Sequence, residues 1–339
     1  MDLENWMECL KDELCDRKLS EIVIPGTHDS GSYCITRKSK IFQPQVTIIW
    51  HNKIKFYPCR RTELLPNLYC LNSLVDVVGA VWSRTQDFSI ADQLCFGVRY
   101  IDLRVFLDRD TNIKYLVHGF EAGELFEELE NVLKFVQLHP GEIVILDMNH
   151  IYKCNNSDIC SMLKRVEEMF GDKLCPPSPP DTCVPTYGEM IKAGKRVIVA
   201  VTEKPEMFMS NYKHSSVRCQ FSWVWSSETN VVSPWANTTD VSTLRRYLER
   251  TMALPRLANS VHVTQTILTP TMSDTLHGLY SFPHNLQQMA EQLNPHLPAW
   301  FQDFRKNFNL NIAIVDFLAP TLINQLINLN LNREEMMRH

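Results

Sequence analysis

Residues suited to acid–base chemistry follow several short apolar segments of this chain. His28 and Asp29 come just after residues 21–25, Asp102 and Arg104 lie two apart in a later segment, and His118 directly precedes a glycine. Two imidazoles can divide a proton-transfer task, one taking a proton from an attacking hydroxyl and the other protonating a leaving oxygen. A guanidinium can hold a phosphate and offset its developing charge. The combination suits phosphodiester cleavage.

Each of these motifs also has a purely structural interpretation. Residues 25–30 contain the Gly and Asp typical of a turn, Asp102 and Arg104 could form an internal ion pair, and a histidine before a glycine is usually structural. The other nine histidines are read as ordinary surface or core residues, with His150 alone near the proposed site. A functional interpretation is favoured because all of these polar residues lie at or after the ends of apolar segments. Residues with unrelated structural tasks should not share that position.

The apolar segments alternate with helical patterns, and this order predicts the fold. β-Branched runs cover residues 21–25, 98–105, 115–117, 142–146, 196–201, 261–267 and 311–317, with a weaker one at 219–225. Between them, one helical face carries Leu125, Leu129, Val132, Leu133 and Val136. Strands alternating with helices form parallel units, and seven or eight such units favour a closed (β/α) barrel in a single domain. Chemistry in such a barrel lies at the carboxyl ends of the strands. Residues expected there are His28, Asp29, Asp102, Arg104, His118, Asp147, Asn149 and Asp316.

Composition and charge exclude several classes of protein. The 339 residues are 45% hydrophobic and 22% charged with a net charge of −5, which argues against a general nucleic-acid binder. No apolar run reaches the ~20 residues that span a bilayer, and the acidic N-terminus does not resemble a signal peptide. Eleven scattered cysteines then suggest free thiols and a cytoplasmic protein.

Four segments together resemble a known family. Residues 24–30 (IPGTHDS), 97–104 (GVRYIDLR), 117–119 (VHG) and 144–150 (VILDMNH) are similar to the X domain of phosphatidylinositol-specific phospholipase C, in particular to the small animal X-domain-containing proteins. Thr85-Gln86 and residues 234–240 and 311–317 extend the similarity, which runs from about Trp6 to Leu331.

The resemblance implies a distorted (β/α)8 TIM-type barrel that cleaves phosphatidylinositol to diacylglycerol and a cyclic inositol phosphate, with roles in lipid degradation and signal transduction. By position, His28 resembles the general base and His118 the general acid. Asp316 resembles the acid that orients the base, Arg104 resembles the phosphate-binding arginine of the bacterial enzymes, and Asp29 would assist protonation of the leaving group.

The same resemblance predicts a reaction without a metal or other cofactor. Calcium-dependent signalling enzymes of the family have a carboxylate where this chain has Arg104, and the chain has no HExxH, paired CxxC or P-loop motif. A bacterial inositol-binding lysine corresponds to Asn149. We predict that Asp102, Asp147 and Asn149 bind the substrate.

The predicted layout has an N-terminal helix over residues 1–20, the catalytic barrel over 21–331 and a tail over 332–339. An insertion at about 31–83 begins with basic and aromatic residues: residues 31–62 hold seven Lys or Arg and no acid. Such a segment suits docking on an anionic membrane, although a solvated loop is an equal alternative. Trp50, Arg60 and Arg61 are the candidates for membrane contact.

Two other functions remain open from the sequence. One is a phosphoinositide-binding scaffold that kept the barrel but lost useful turnover. The other is a metal-dependent glycerophosphodiesterase-type barrel, which would need a carboxylate cluster around Mg²⁺ or Ca²⁺. For the phospholipase itself, the expected partner is phosphatidylinositol in a membrane, with peripheral membrane association and no protein partner specified.

Overall fold

Ten strands form the sheet of the described part of the chain. The structure is a computed structural model and describes residues 2–41, 78–202, 221–278 and 281–331. The strands are β1 (Ile24–Thr27), β2 (Tyr100–Leu107), β3 (Lys114–His118), β4 (Phe120–Glu124), β5 (Val144–Tyr152), β6 (Val197–Val201), β7 (Val224–Ser226), β8 (Val231–Val232), β9 (Val261–Thr266) and β10 (Ile312–Val315).

Eight of these strands run parallel around a nearly closed barrel. Their order is β7-β6-β5-β2-β1-β10-β9-β8, and each neighbouring pair is parallel. Every residue of β1, β6 and β10 is buried, as expected for strands covered on both faces. The predicted barrel in a single domain is confirmed.

Helices cover the outside of the barrel. They are α1 (Trp6–Cys9), α2 (Lys11–Leu14), α3 (Ile90–Cys95), α4 (Leu125–Leu138), α5 (Asn156–Phe170), α6 (Tyr187–Lys192), α7 (Val241–Met252), α8 (Met272–His277), α9 (Leu286–Leu293), α10 (Leu297–Asn307) and α11 (Pro320–Asn328). The predicted face of α4 is confirmed, with Leu125, Leu129, Val132 and Val136 buried. Capping boxes begin α5 at Asn155 and α6 at Thr186, each closed by an acidic residue three positions later.

One predicted barrel strand lies elsewhere. The run at 115–117 becomes β3, which pairs antiparallel with β2 and with β4 and is not one of the eight barrel strands. Only residues 108–113 separate β2 from β3, and a parallel crossover needs a dozen or more residues. The eighth barrel strand is instead the two-residue β8, which is too short to leave a recognisable pattern.

The remaining predicted segments lie at the ends of the chain or outside the described part. Residues 1–20 hold the two short helices α1 and α2, separated at Leu10. Most of the 31–83 insertion, including Trp50, Arg60 and Arg61, lies outside the described residues, as does the tail at 332–339. Within the described ranges, no helix combines the length and apolar character needed to cross a membrane.

Candidate active site

The predicted polar residues meet at one end of the barrel, because the carboxyl ends of parallel strands share one mouth. His28 and Asp29 directly follow β1, Asp316 directly follows β10, and Arg104 lies within β2. His118 does not lie on a barrel strand. It is the last residue of β3, and the antiparallel β2–β3 hairpin places it at the same mouth. The two imidazole centroids are 5.6 Å apart.

The environment of His28 fixes which ring nitrogen carries its proton. Nε2 lies 2.9 Å from Nη2 of Arg104, and a guanidinium can only donate, so Nε2 accepts. The proton is therefore on Nδ1, which donates to Asp316 Oδ1 at 2.8 Å. Burial acts to lower the pKa of His28, but the charge and hydrogen bond of Asp316 raise it more, so its pKa lies above the ordinary value. Nε2 is the basic atom at the mouth.

Asp29 lies between the two histidines and the arginine. Its Oδ2 is 3.1 Å from Arg104 Nε and 3.1 Å from His118 Nε2. The backbone at Asp29 is left-handed, with φ of 41°, a conformation that aspartate tolerates better than most residues. Burial raises the pKa of Asp29 to about 7, although Arg104 and His28 act against this change. The Asp29 and Asp102 carboxylates outweigh burial at Arg104 and raise the pKa of its guanidinium.

His118 is held by a backbone carbonyl that sequence reasoning missed. Its Nδ1 lies 2.6 Å from the oxygen of Ser83, so Nδ1 carries a proton and Nε2 faces Asp29. Burial, together with the positive charges of Arg104 and His28, lowers the pKa of His118 well below its ordinary value. Asp29 and His118 can therefore share one proton between Oδ2 and Nε2. In the absence of substrate this proton lies on the Asp29 carboxyl group, because the pKa of Asp29 is raised and that of His118 is lowered.

The predicted substrate-binding residues all bond to other protein groups. Asp102 accepts from the backbone N–H of Asp29 at 2.9 Å and from Nδ2 of Asn149 at 2.6 Å. Asp147 accepts from Tyr100 Oη and Ser227 Oγ, each at 2.5 Å, and burial raises its pKa to about 7. Asp102 and Asn149 line the cavity at the mouth, together with Tyr100 and Ser227, which hold Asp147 behind them.

Thr85 and Gln86 form a clamp that the sequence did not assign. Nε2 of Gln86 donates to the carbonyls of His28 and Val315 at 3.1 and 2.8 Å, and its Oε1 accepts from Leu318 N at 3.3 Å. Oγ1 of Thr85 donates to the His28 carbonyl at 2.8 Å. These bonds tie the segment after β1 to the segment after β10, and so join His28 to Asp316. The dipeptide was visible in the sequence, but only the long-range contacts show its task.

Comparison with known proteins identifies the family. The family model described as PI-PLC X 1 matches residues 72–253, more than half of the chain. Human PI-PLC X domain-containing protein 2 is 30% identical over 298 residues, covering 87% of each chain, and its mouse counterpart is 31% identical, covering 93% of this chain and 83% of that one. This chain belongs to the PI-PLC X domain family. Human PI-PLC X domain-containing protein 3 is 26% identical, over 97% of this chain and 94% of that protein.

The barrel of this family member has the fold of bacterial enzymes. The phosphatidylinositol-specific phospholipase C from Listeria monocytogenes superposes with a TM-score of 0.61 at 18% identity, covering 98% of this chain and 100% of that chain. The Staphylococcus aureus enzyme gives 0.61 at 17% identity, covering 98% of each. At these identities the likeness concerns the fold.

The same cluster can be tested as a metal site in this PI-PLC X barrel. Donor atoms of His28, Asp29 and His118 lie within 4.8 Å of one another, close enough to surround an ion. Arg104 places a permanent positive charge 3.1 Å from the single carboxylate of that set. A divalent cation held by these three residues would lie beside the guanidinium and be repelled by it, whereas the same guanidinium suits a phosphate.

Proposed function

We propose that this chain is a phosphatidylinositol-specific phospholipase C that works by histidine acid–base catalysis without a metal. The observation that carries the proposal is the pairing of His28 with Asp316 and of His118 with Asp29 on either side of Arg104. Imidazoles 5.6 Å apart can reach the attacking and leaving oxygens of one phosphodiester. Family membership supports phosphatidylinositol as the substrate class.

In the proposed reaction, Arg104 turns from His28 to the substrate phosphate and so uncovers Nε2. Nε2 takes the proton of the inositol 2-hydroxyl, whose oxygen bonds to phosphorus while the bond from phosphorus to the glycerol oxygen breaks. His118 gives that oxygen a proton, with Asp29 supplying or sharing it. Diacylglycerol and the cyclic inositol phosphate are released, and proton exchange with water restores both histidines.

This scheme requires His28 to be unprotonated while the Asp29–His118 pair keeps its proton. The pKa of His28 is raised and that of Asp29 is about 7, so activity needs a pH high enough to deprotonate His28 and low enough to keep the proton on the pair. We expect a bell-shaped dependence of kcat/KM on pH, with apparent pKa values that belong to the coupled cluster.

We further propose that the protein works in the cytoplasm at a membrane surface. Arg37, Lys38 and Lys40 are exposed in the segment that follows His28, and Trp235, which lines the cavity, is 52% exposed. A structural study of the S. aureus enzyme concerned modulation of its membrane binding. The described cysteines are free thiols, which suits a reducing compartment.

The first test is release of inositol phosphate from phosphatidylinositol vesicles in excess chelator. We expect turnover by the wild-type protein and a loss of about 10²–10⁴-fold in His28→Ala, the contribution of a general base. His284→Ala is the matched control, because His284 is exposed and bonds only to the 278 carbonyl through its ring. Activity that needs added calcium would contradict the metal-free scheme, and vesicle binding without turnover would favour a lipid-binding scaffold.

A further inference from the structure

One side of the cavity at the barrel mouth is formed by the end of β5 and by Ser227, which directly follows β7. The volume of the whole cavity is about 660 Å³. Val201 of β6 pairs with both Met148 and Ser226, so Asn149 and Ser227 lie at the same level of the barrel, two strands apart. Two strand spacings are about 10 Å, which leaves room for one six-membered ring between the two side chains.

An extra residue in β5 turns two consecutive side chains into this cavity. Asp102 of β2 pairs with Asp147 of β5. Two residues later in β2, Arg104 pairs with His150, which lies three residues later in β5. Successive side chains of a regular strand point to opposite faces, and a bulge breaks this alternation. Asn149 and His150 therefore both line the cavity, with His150 beside the proposed phosphate ligand.

The hydroxyl group of Ser227 donates its hydrogen to a buried carboxylate. Oγ of Ser227 lies 2.5 Å from Oδ1 of Asp147, and Tyr100 Oη lies 2.5 Å from Oδ2 of the same group. Asp147 is fully buried, whereas Ser227 is partly exposed and lines the cavity. A serine has only one hydroxyl hydrogen, so Ser227 presents a lone pair of Oγ to a ligand in the cavity.

A second chain of hydrogen bonds gives His150 the same polarity. The Asp102 carboxylate can only accept, so Asn149 approaches it with Nδ2, at 2.6 Å. Asn149 Oδ1 then accepts from His150 Nδ1, also at 2.6 Å. Burial and the positive charge of Arg104 lower the pKa of His150 to about 4, so its ring is neutral near pH 7. With the proton on Nδ1, the Nε2 atom of His150 is an acceptor.

Both chains direct their hydrogens toward buried carboxylates and leave acceptors at the cavity. Such a surface binds groups that bring a hydrogen of their own, as a hydroxyl group does and an ionised phosphate does not. We propose that Ser227 and His150, the acceptor pair, each accept a hydrogen bond from a hydroxyl group of the inositol ring, and that Asp147 positions Ser227 for this task. This inference rests on the proposed function, which brings inositol into the cavity.

The test is calorimetric titration with glycerophosphoinositol, which has the ring and the phosphodiester and needs no membrane. The probes are analogues in which one ring hydroxyl at a time is replaced by fluorine, which cannot donate a hydrogen bond. The titrations are run well above pH 7, because burial raises the pKa of Asp147 to about 7 and its carboxyl group is then ionised. We expect two analogues to bind the wild-type protein about three- to tenfold more weakly, the effect of one lost hydrogen bond each. Unchanged affinity for every analogue would overturn the acceptor pair.

Ser227→Ala and His150→Phe assign each hydrogen bond to one residue. Ser227→Ala should bind one of the two sensitive analogues as well as it binds glycerophosphoinositol, and His150→Phe should do the same for the other. Ser227→Thr keeps the hydroxyl group and should keep the sensitivity to fluorine. Ser157→Ala, at an exposed position of α5, is the matched control and should behave like the wild-type protein. Fluorine effects that persist in both Ser227→Ala and His150→Phe would show that neither residue contacts the ring.

Asp147→Leu tests the positioning role. Without the carboxylate, the Ser227 hydroxyl can turn its hydrogen toward the cavity, so the fluorine effect assigned to Ser227 should disappear while the one assigned to His150 remains. Asp147→Asn keeps the shape and one acceptor atom, and it should reduce the same effect without removing it. A purely structural role of Asp147 would change both fluorine effects equally, and that result would contradict the proposal.

These binding measurements separate failure of this inference from failure of the proposed function. The expected fluorine effects in a protein that releases no inositol phosphate would keep the acceptor pair and reject the enzyme. Turnover of phosphatidylinositol with no fluorine effect would keep the enzyme and reject the acceptor pair. If glycerophosphoinositol binds too weakly to titrate, kcat/KM for the fluorinated phosphatidylinositols gives the same ratios, and absence of both binding and turnover would reject both proposals.

Discussion

At the scale of single residues, the two histidines differ in the group that binds Nδ1. Asp316 holds the Nδ1 proton of His28, and the Ser83 carbonyl holds the Nδ1 proton of His118. The carboxylate raises the pKa of the first ring, whereas the neutral carbonyl cannot offset burial and nearby positive charge at the second. In the proposed reaction, this difference would prepare His28 to accept a proton and His118 to give one up.

Asp316→Asn tests this assignment through the pH profile. Removal of the carboxylate charge takes away what favours protonated His28, so the pKa of His28 falls. Because the base must be unprotonated, the acidic limb of kcat/KM should move to lower pH, while kcat/KM at pH 7 drops by about 10²-fold or more.

Asp303→Asn is the control for this substitution. Asp303 is half-exposed on α10 and pairs with Arg245 of α7, and neither residue contacts the His28–Asp316 pair. An unchanged acidic limb in Asp316→Asn would show that His28 does not depend on Asp316.

At the scale of elements, the site is assembled from segments that start on different strands. The β2–β3 hairpin brings His118 to the mouth, and the helical residues 78–83 end at Ser83, which fixes its ring. Thr85 and Gln86 then connect the ends of β1 and β10 through hydrogen bonds to the carbonyls of His28 and Val315. The spacing of the two imidazoles therefore depends on loop contacts as much as on the barrel.

Gln86→Leu should weaken both stability and catalysis. It removes a fully buried amide that bonds to His28, Val315 and Leu318. Buried groups left without partners cost about 1–3 kcal/mol each, so we expect a loss of about 2–4 kcal/mol in urea unfolding. Displacement of His28 from Asp316 should also lower kcat about tenfold in the folded protein.

Gln287→Leu is the matched control on the exposed face of α9. It should change the free energy of unfolding by less than about 0.5 kcal/mol and leave kcat unchanged. If both variants had the same free energy of unfolding and the same kcat, Gln86 would not be needed to hold His28 in place.

At the scale of the whole molecule, a buried ion pair closes the end of the barrel opposite the mouth. Arg99 and Glu142 have no exposed side-chain surface and lie 2.8 Å apart. Glu142 accepts from the backbone N–H of Glu8 at 3.0 Å, and Arg99 donates to the Glu4 carbonyl at 2.7 Å. The pair thus attaches the N-terminal helices to the barrel without contact with the catalytic cluster.

Glu142→Gln should therefore destabilise the fold while sparing the chemistry. Removing one partner of a buried pair costs about 3–5 kcal/mol, because the other charge stays buried. Urea unfolding should show this loss, and kcat of the folded fraction should remain near the wild-type value. Glu130→Gln on the exposed face of α4 is the control, and an equal free energy of unfolding in both variants would contradict the argument.

The sequence by itself determined the barrel and most of the reactive residues. The β-branched runs and the apolar face of α4 can be recognised from neighbouring residues alone. Strands that are covered on both faces need continuous apolar residues, and a helix that packs on them needs one apolar face. His28, Asp29, Arg104 and Asp316 could be placed because strand ends of a parallel barrel must meet at one mouth. Their roles as base, acid and phosphate ligand, and direct substrate contact by Asp102, Asp147 and Asn149, stay predictions.

Only the tertiary structure decided how His118 reaches the mouth, what Thr85 and Gln86 hold, and which groups surround Asp147. These depend on contacts between residues dozens to hundreds of positions apart, such as Gln86 with Val315. The antiparallel course of β3 and the two-residue β8 also escaped the patterns, since a short strand has too few residues to show a period. Proton positions come last, because burial and neighbouring charge set them, and both exist only once the chain has folded.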